Sequence, residues 1–406
     1  MIITVVCDVL GKENNGTTIA AMNLIHSMKA RGHEVRVVCA DEDKKDLPGY
    51  YVVPTLNLGP INRYIARNGV SLAKADKRIV ERAITGADVV HCMLPYSLGA
   101  RAAKLAKRLG IPLTGGCHAL AENFTAHIFL AKCGLVNLLT YKIYYHRLYK
   151  HCDCVHYPSR MMCELFEGAT APMPHRIVSN GVGEAFRPMH EDKPEEYRDQ
   201  FVILFTGRYS KEKSHRVLID GVSQSRYCDR IRLIFAGAGP LADKLKKYAD
   251  KRMTIKLVFG FFSREQMRQI INYADLYVHP ARYEAEGIAC LEAMACGKAI
   301  LSSDSHKSAT RSFALTEKNL FRYNDPNSLA EKIDYFIEHP QARALCGEVY
   351  AQYASRFNFE QCMNEMEEMF YDAAGTKGNP LFIDDGRLCG DEYCDEDSGC
   401  DVPIHS

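Results

Sequence analysis

Short apolar runs rich in β-branched residues recur through the first half of the chain, at 2–7, 34–39, 89–91, 112–114 and 154–157. Between them lie longer segments whose apolar positions return every three or four residues, the spacing of one helix face. This alternation predicts βαβ units and a parallel sheet. The second half repeats the rhythm. Strands are expected at 201–206, from 234 up to the turn Gly237-Ala238-Gly239-Pro240, at 255–259 and at 276–278. Helices are expected from near Gly287 and over 328–338 and 360–371. Residues 189–200, polar and containing proline, mark a linker between the halves. No short repeat of solenoid type is present.

With 406 residues, 47% hydrophobic and 25% charged, the chain has material for two cores of ordinary size. The net charge of +1 conceals an asymmetry. Residues 1–188 hold 23 Lys and Arg against 15 Asp and Glu, whereas 189–406 hold 28 against 35. Part of that acidic excess is terminal, since residues 373–406 carry 2 basic and 8 acidic side chains, and this tail is expected to be disordered. The basic first half favours an anionic partner by its field; no nucleic-acid partner is expected. The 16 cysteines are scattered without a CxxC pair, which points to buried thiols in a reducing cytoplasm. Cys389, Cys394 and Cys400 lack a fourth ligand of similar spacing, so no zinc site is expected there. Residues 1–8 have no basic leader and read as a first strand, and no apolar run approaches the roughly eighteen residues of a membrane span.

Candidate chemistry is densest at 279–297. After Leu276-Tyr277-Val278 the pattern gives a loop and then a helix opening near Gly287. A helix N-terminus at the C-terminal edge of a strand presents unpaired N–H groups and partial positive charge, which suits phosphate oxygens. Gly287 has no side chain to hold an anion away from the backbone. Glu284 in the loop and Glu292 in the helix bracket it, so a diphosphate on the amides would leave a hydroxyl-rich group near each carboxylate. An amphipathic helix with solvated glutamates would carry the same residues. Next to the strand 201–206, Arg208 offers a forked cation and Lys213 a mobile point charge, for phosphate or as a solvated basic turn. His118 follows Gly115-Gly116 at the sheet edge where open α/β folds bind ligands; a structural histidine would also fit there. Asn14-Asn15-Gly16-Thr17 places flexible backbone after the first strand, as many plain strand-to-helix turns do.

Glu284-x7-Glu292 with Gly287 inside it, together with Gly207-Arg208-x4-Lys213, resembles the signature of family-four retaining glycosyltransferases of the GT-B fold. Arg31-Gly32-His33-Glu34-Val35 and Asn180-Gly181-Val182-Gly183 extend the resemblance over about residues 1–372. It implies an α/β protein with two Rossmann-like domains facing across a cleft, the acceptor on 1–188 and a nucleotide-sugar donor, UDP-sugar favoured, on 189–372. Carried over, Glu284 contacts the donor sugar and Glu292 the ribose, while Gly287, Ile288 and Ala289 offer amides to the diphosphate. Arg208 and Lys213 stabilise the leaving group, and His118 touches the donor sugar. Asn15 and Gly16 stand in the family's glycine loop, Glu122 is a further acceptor or sugar contact, and Phe261 lies where the base is laid. Glu286 departs from the apolar residue usual at its position. The last helix is expected to cross back to the first domain. With no Asp-x-Asp beside these motifs, transfer is expected to need neither metal nor cofactor. A sugar-phosphate synthase, a nucleotide-sugar epimerase and a non-catalytic sugar-nucleotide-binding protein are the rival readings.

The stretch 124–151 mixes apolar residues and tyrosines with Lys132, Lys142, Arg147 and Lys150 and holds no acid. Such a segment lies in a membrane interface or packs on the sheet with a solvated basic face. The first alternative makes the acceptor a membrane lipid or lipid-linked glycan, and the protein peripheral at an anionic inner membrane face.

Overall fold

The computed structural model describes residues 1–8, 10, 16–56, 72–126 and 130–375. Asn15, Phe129 and the acidic tail beyond Gly375 lie outside the described residues.

Seven parallel strands form the first sheet: β1 (Ile2–Val6), β2 (Glu34–Cys39), β3 (Tyr50–Val52), β4 (Val89–Cys92), β5 (Leu113–Gly116), β6 (Cys154–Tyr157) and β7 (His175–Ile177), in the order β3-β2-β1-β4-β5-β6-β7. The order reverses beside β1, where a crevice opens at the C-terminal strand ends. Six more form the second: β8 (Phe201–Thr206), β9 (Ile231–Ala236), β10 (Val258–Gly260), β11 (Leu276–His279), β12 (Ile300–Ser303) and β13 (Leu320–Phe321), in the order β10-β9-β8-β11-β12-β13. Both are doubly wound, so the expected α/β architecture is present. The apolar runs are continuous because helices cover both faces: all four residues of β4 and of β11 are buried.

Side-chain alternation along β1 divides the first core. Ile3, Val5 and Cys7 face the helix Gly16–Ala30 and the last helix among the described residues, Phe359–Gly375; Val6 joins a cluster on the other face. The last helix thus packs through Met363, Met366, Met369 and Phe370 against the first sheet, although it follows the second in sequence. At its rim Arg31 pairs with Glu360 at 2.8 Å and Glu367 at 3.0 Å, and His33 Nε2 lies 2.6 Å from Glu367.

The patterning missed β3, β7, β12 and β13, none longer than four residues, and the helix Pro340–Ala354. The strand expected at 255–259 is confined to 258–260. No disulfide is present among the described residues.

Two backbone crossings join the halves. Val182 N–H donates to Phe357 O at 2.8 Å and Phe359 N–H to Val182 O at 3.1 Å. Gly181, with φ of 75°, sits where a Cβ would meet Phe359 Cα at 2.7 Å, so no other residue fits this crossing without a shift. Beside it, Glu286 is buried and accepts from Ser179 Oγ at 2.6 Å, from Asn180 N–H at 2.8 Å and from Asn180 Nδ2. A carboxylate that reaches across from the second half and satisfies these donors explains why an acid replaces an apolar residue at this position. Burial raises its carboxyl to about 7 against the pull of those hydrogen bonds.

Candidate active site

β11 delivers His279 to the C-terminal edge of the second sheet, and the loop that follows leads to Gly287, the N-cap of the helix Ile288–Ala295. Gly287 has φ of 94°, and a Cβ there would lie 2.3 Å from Thr310 Cγ2, so glycine is required by both conformation and space. Backbone bonding inside the helix begins with Cys290 N–H to Gly287 O at 2.8 Å. The amides of Ile288 and Ala289 precede that ladder, as an anion cradle requires.

Glu284 is fixed by its backbone: its N–H donates to Lys307 O at 3.1 Å, and its carbonyl accepts from Ala309 N–H at 2.9 Å. Its carboxylate accepts from Lys213 Nζ and lies 3.0 Å from His279 Nε2. Burial favours the neutral acid, but the Lys213 ammonium and His279 outweigh it and hold the carboxyl down at about 2. Lys213 ends a short 3₁₀ turn after β8. From the loop before this turn Arg208 Nη2 donates to Glu212 Oε1 at 3.1 Å, and Glu212 O accepts from Arg282 N–H at 2.8 Å, which ties this loop to the Glu284 loop. The structure therefore brings Arg208, Lys213, Glu284 and Gly287 into one constellation. Sequence reasoning gave His279 no role, although its place at the end of a buried strand was a usable signal.

Glu292 is half-buried near Arg264; burial raises its carboxyl to about 7, and Arg264 opposes the rise. Phe261, 66% exposed, follows β10 at the same sheet edge, with an open ring face.

In the first half, Gly16 opens the helix Gly16–Ala30, where a Cβ would meet nothing within 4 Å. His118 stands at the predicted sheet edge but is buried against His156, with ring centroids 5.2 Å apart, in a cavity also lined by His91, Asn180 and Met363. Burial, then His156 and His91, push its imidazole well below the ordinary range. Its Nε2 has no hydrogen-bond partner among the described residues.

Glu122 departs from the expectation of a sugar contact. It is fully buried, and its oxygens accept from Tyr141 OH at 2.6 Å and from Lys307 Nζ. With both oxygens taken, it braces the junction between the halves.

The helix Gly134–Arg147 is inverted relative to a core helix. It buries Asn137, Thr140, Tyr141 and Tyr144 and presents Leu135, Leu138, Leu139 and Ile143 to solvent, with Leu135 76% and Leu139 57% exposed. The inward Asn137 and Thr140 are satisfied: Thr125 Oγ1 donates to Asn137 at 2.6 Å, Asn137 Nδ2 to Ala131 O at 2.9 Å, and Thr140 Oγ1 to Val136 O at 2.8 Å. Among the described residues no helix is long and apolar enough to cross a membrane.

Two doubly wound sheets, with a helix N-terminus, two acidic positions and a paired cation at the edge of the second, define a GT-B glycosyltransferase. Comparison with known families agrees: residues 14–185 match the family described as Glycosyltransferase Family 4 and residues 186–352 the one described as Glycosyl transferases group 1. The chain belongs to the family-four glycosyltransferases of GT-B type. It is 22% identical to the alpha-monoglucosyldiacylglycerol synthase of Acholeplasma laidlawii, over 80% of this chain and 86% of that protein. The crystal structure of Anabaena HepE in complex with UDP-glucose superposes with a TM-score of 0.71 at 17% identity, over 92% of this chain and all of that one. The catalytic domain of cholesterol-alpha-glucosyltransferase from Helicobacter pylori is 40% identical over 39% of this chain and 99% of that chain, with a TM-score of 0.38.

Proposed function

We propose that this glycosyltransferase moves a sugar from a nucleotide sugar, a UDP-sugar by preference, to a hydroxyl of a lipid or lipid-linked glycan at an anionic membrane surface, with retention of configuration. The observation that carries the reading is the exposed leucine stripe of the helix Gly134–Arg147. Four large apolar side chains on one face, flanked by Lys142, Arg147 and Lys150, contradict burial in this chain's own core and suit a headgroup boundary. The lipid named for the Acholeplasma relative and the UDP-glucose of the Anabaena structure are consistent with acceptor and donor.

On this reading, the diphosphate takes the place of the Glu284 carboxylate at Lys213 and rests on the amides of Ile288 and Ala289. Arg208 adds charge, and no metal enters the transfer step. Retention follows from front-face attack while the leaving diphosphate is stabilised by these donors. Domain 1–188 carries the acceptor and domain 189–372 the donor.

Vesicle sedimentation tests the membrane part. Wild-type protein should pellet with anionic vesicles and less so as salt rises; Lys142→Glu/Arg147→Glu/Lys150→Glu should bind at least about 100-fold less, since each charge near such a surface contributes about 1 kcal/mol. Wild type staying in the supernatant at low salt makes a soluble acceptor the better reading. Mass spectrometry of products from a panel of nucleotide sugars identifies donor and acceptor.

A further inference from the structure

At the outer edge of the first sheet, the helix Arg160–Ala169 and strand β7 bring together a thiol, a carboxylate and an imidazole. The ligating atoms of Cys163, Glu167 and His175 all lie within 4.8 Å of one another. Cys163 and Glu167 are four residues apart on one helix and so share a face; His175 is the first residue of β7.

Cys163 Sγ lies 3.6 Å from His175 Nε2. A thiolate and an imidazole bound to one tetrahedral zinc ion, at about 2.3 and 2.0–2.1 Å, stand roughly 3.5 Å apart. This pair already has that spacing. The other ring nitrogen is held away, since His175 Nδ1 lies 2.9 Å from the Met173 carbonyl and 3.0 Å from Glu167 Oε1. A backbone carbonyl accepting from Nδ1–H turns the Nε2 lone pair towards Cys163, which is how outer groups orient metal-binding imidazoles. Glu167 also accepts from Tyr157 OH at 3.4 Å. Cys163 is 7% exposed, while the Glu167 and His175 side chains are 14% exposed each. The thiol is thus shielded, and the carboxylate and imidazole are the more open members of the group.

We propose that Cys163, His175 and Glu167 bind one borderline-soft divalent cation, zinc or cobalt(II), with water completing four-coordination. The donor set decides the class: thiolate and imidazole select such ions over calcium and magnesium, which take oxygen ligands. On binding, the Met173 carbonyl keeps the ring N–H and Glu167 turns a carboxylate oxygen to the ion. The ion then clamps the three-residue edge strand β7 to a helix whose N-cap, Ser159, donates through Oγ to the Ala285 carbonyl in the donor loop at 2.6 Å. The clamp is structural and separate from the transfer chemistry.

Cobalt(II) titration of the full chain tests the proposal. A near-ultraviolet thiolate-to-cobalt band with visible tetrahedral bands should saturate at one equivalent and be abolished by zinc. Cys163→Ser should lose the near-ultraviolet band, Glu167→Gln should weaken binding about tenfold or more, and Cys228→Ser should match wild type. Circular dichroism checks that each variant is folded. Independently of any variant, zinc should protect Cys163 of the wild-type protein from iodoacetamide, read by peptide mass spectrometry. Absence of a saturable band in folded wild type, a band that survives in folded Cys163→Ser, or unprotected Cys163 under saturating zinc overturns the proposal.

Discussion

Lys213 and Glu284, 71 residues apart in sequence, hold each other at the edge of the second sheet. On the proposed function, in which both contact the donor, Lys213→Ala and Glu292→Ala should each lower the transfer rate by about 100-fold or more while leaving the fold intact, since neither belongs to the apolar core. A product assay beside circular dichroism checks this; wild-type rates in either folded variant would remove the donor assignment. Glu292 also predicts a proton. Its carboxyl sits near 7 in the free protein, well above the ordinary 4.5. Under the proposed ribose contact, accepting hydroxyl hydrogen bonds as a carboxylate requires it to lose a proton on binding. UDP affinity should rise with pH through the range around 7, with proton release seen by calorimetry in buffers of different ionisation enthalpy, and Glu292→Gln should flatten that rise. Equal slopes in the two proteins would show that the proton comes from elsewhere. The acidic and basic motif positions were legible in the sequence because the chemistry fixes residue type and spacing together. The partners of Glu122 and Glu286 were not, since Lys307 and Asn180 meet them only through the tertiary fold.

At the scale of elements, hydrophobic periodicity works where burial and apolarity coincide. Strands such as β1 and β8, whose sequences are continuous apolar runs, were read directly, whereas β12, buried throughout but half serine, was not. The helix Gly134–Arg147 shows the limit: composition exposed its basic, aromatic character, but only packing reveals which face is inward, because Asn137 and Thr140 are buried by hydrogen bonding while the leucines are not. The shortest strands lack enough residues to display a period. The last helix was expected to cross back, and it does so through Phe370, which is fully buried against the first sheet. Phe370→Ala should cost about 3–5 kcal/mol of stability by leaving a cavity, measured by denaturant titration. A loss below about 1 kcal/mol would mean that the helix is not seated there in solution.

At the scale of the whole molecule, Glu286 and the crossings at Val182 and Phe359 tie the two halves together. Glu286→Ala leaves Ser179 and the Asn180 donors without their acceptor and should destabilise the protein by about 1–3 kcal/mol, read as a lowered Tm. The pH sign follows from its raised carboxyl, at about 7 against an ordinary 4.5. Burial favours the protonated form, so the contribution of wild-type Glu286 is fully present below pH 4.5 and declines as pH rises through 7. The Tm gap between wild type and Glu286→Ala should therefore narrow from pH 5 to pH 8; a gap that widens would assign the carboxylate as the favoured form.

The seat of the last helix bears on how the chain is made. Ile3, Val5 and Cys7 leave the ribosome well before the methionines and Phe370 that help to cover them, which emerge about 360 residues later. At translation rates of about 5–20 residues per second, the wait is roughly 20–70 s. Throughout that interval this apolar face of the nascent first half has the helix Gly16–Ala30 but not the later helix to cover it, while the second half, whose core needs little from outside, is free to fold ahead of it. Early-made chain thus becomes late-folded chain, and a ribosome-bound intermediate of this protein should be a strong client for chaperones that grip apolar surface until the final helix arrives.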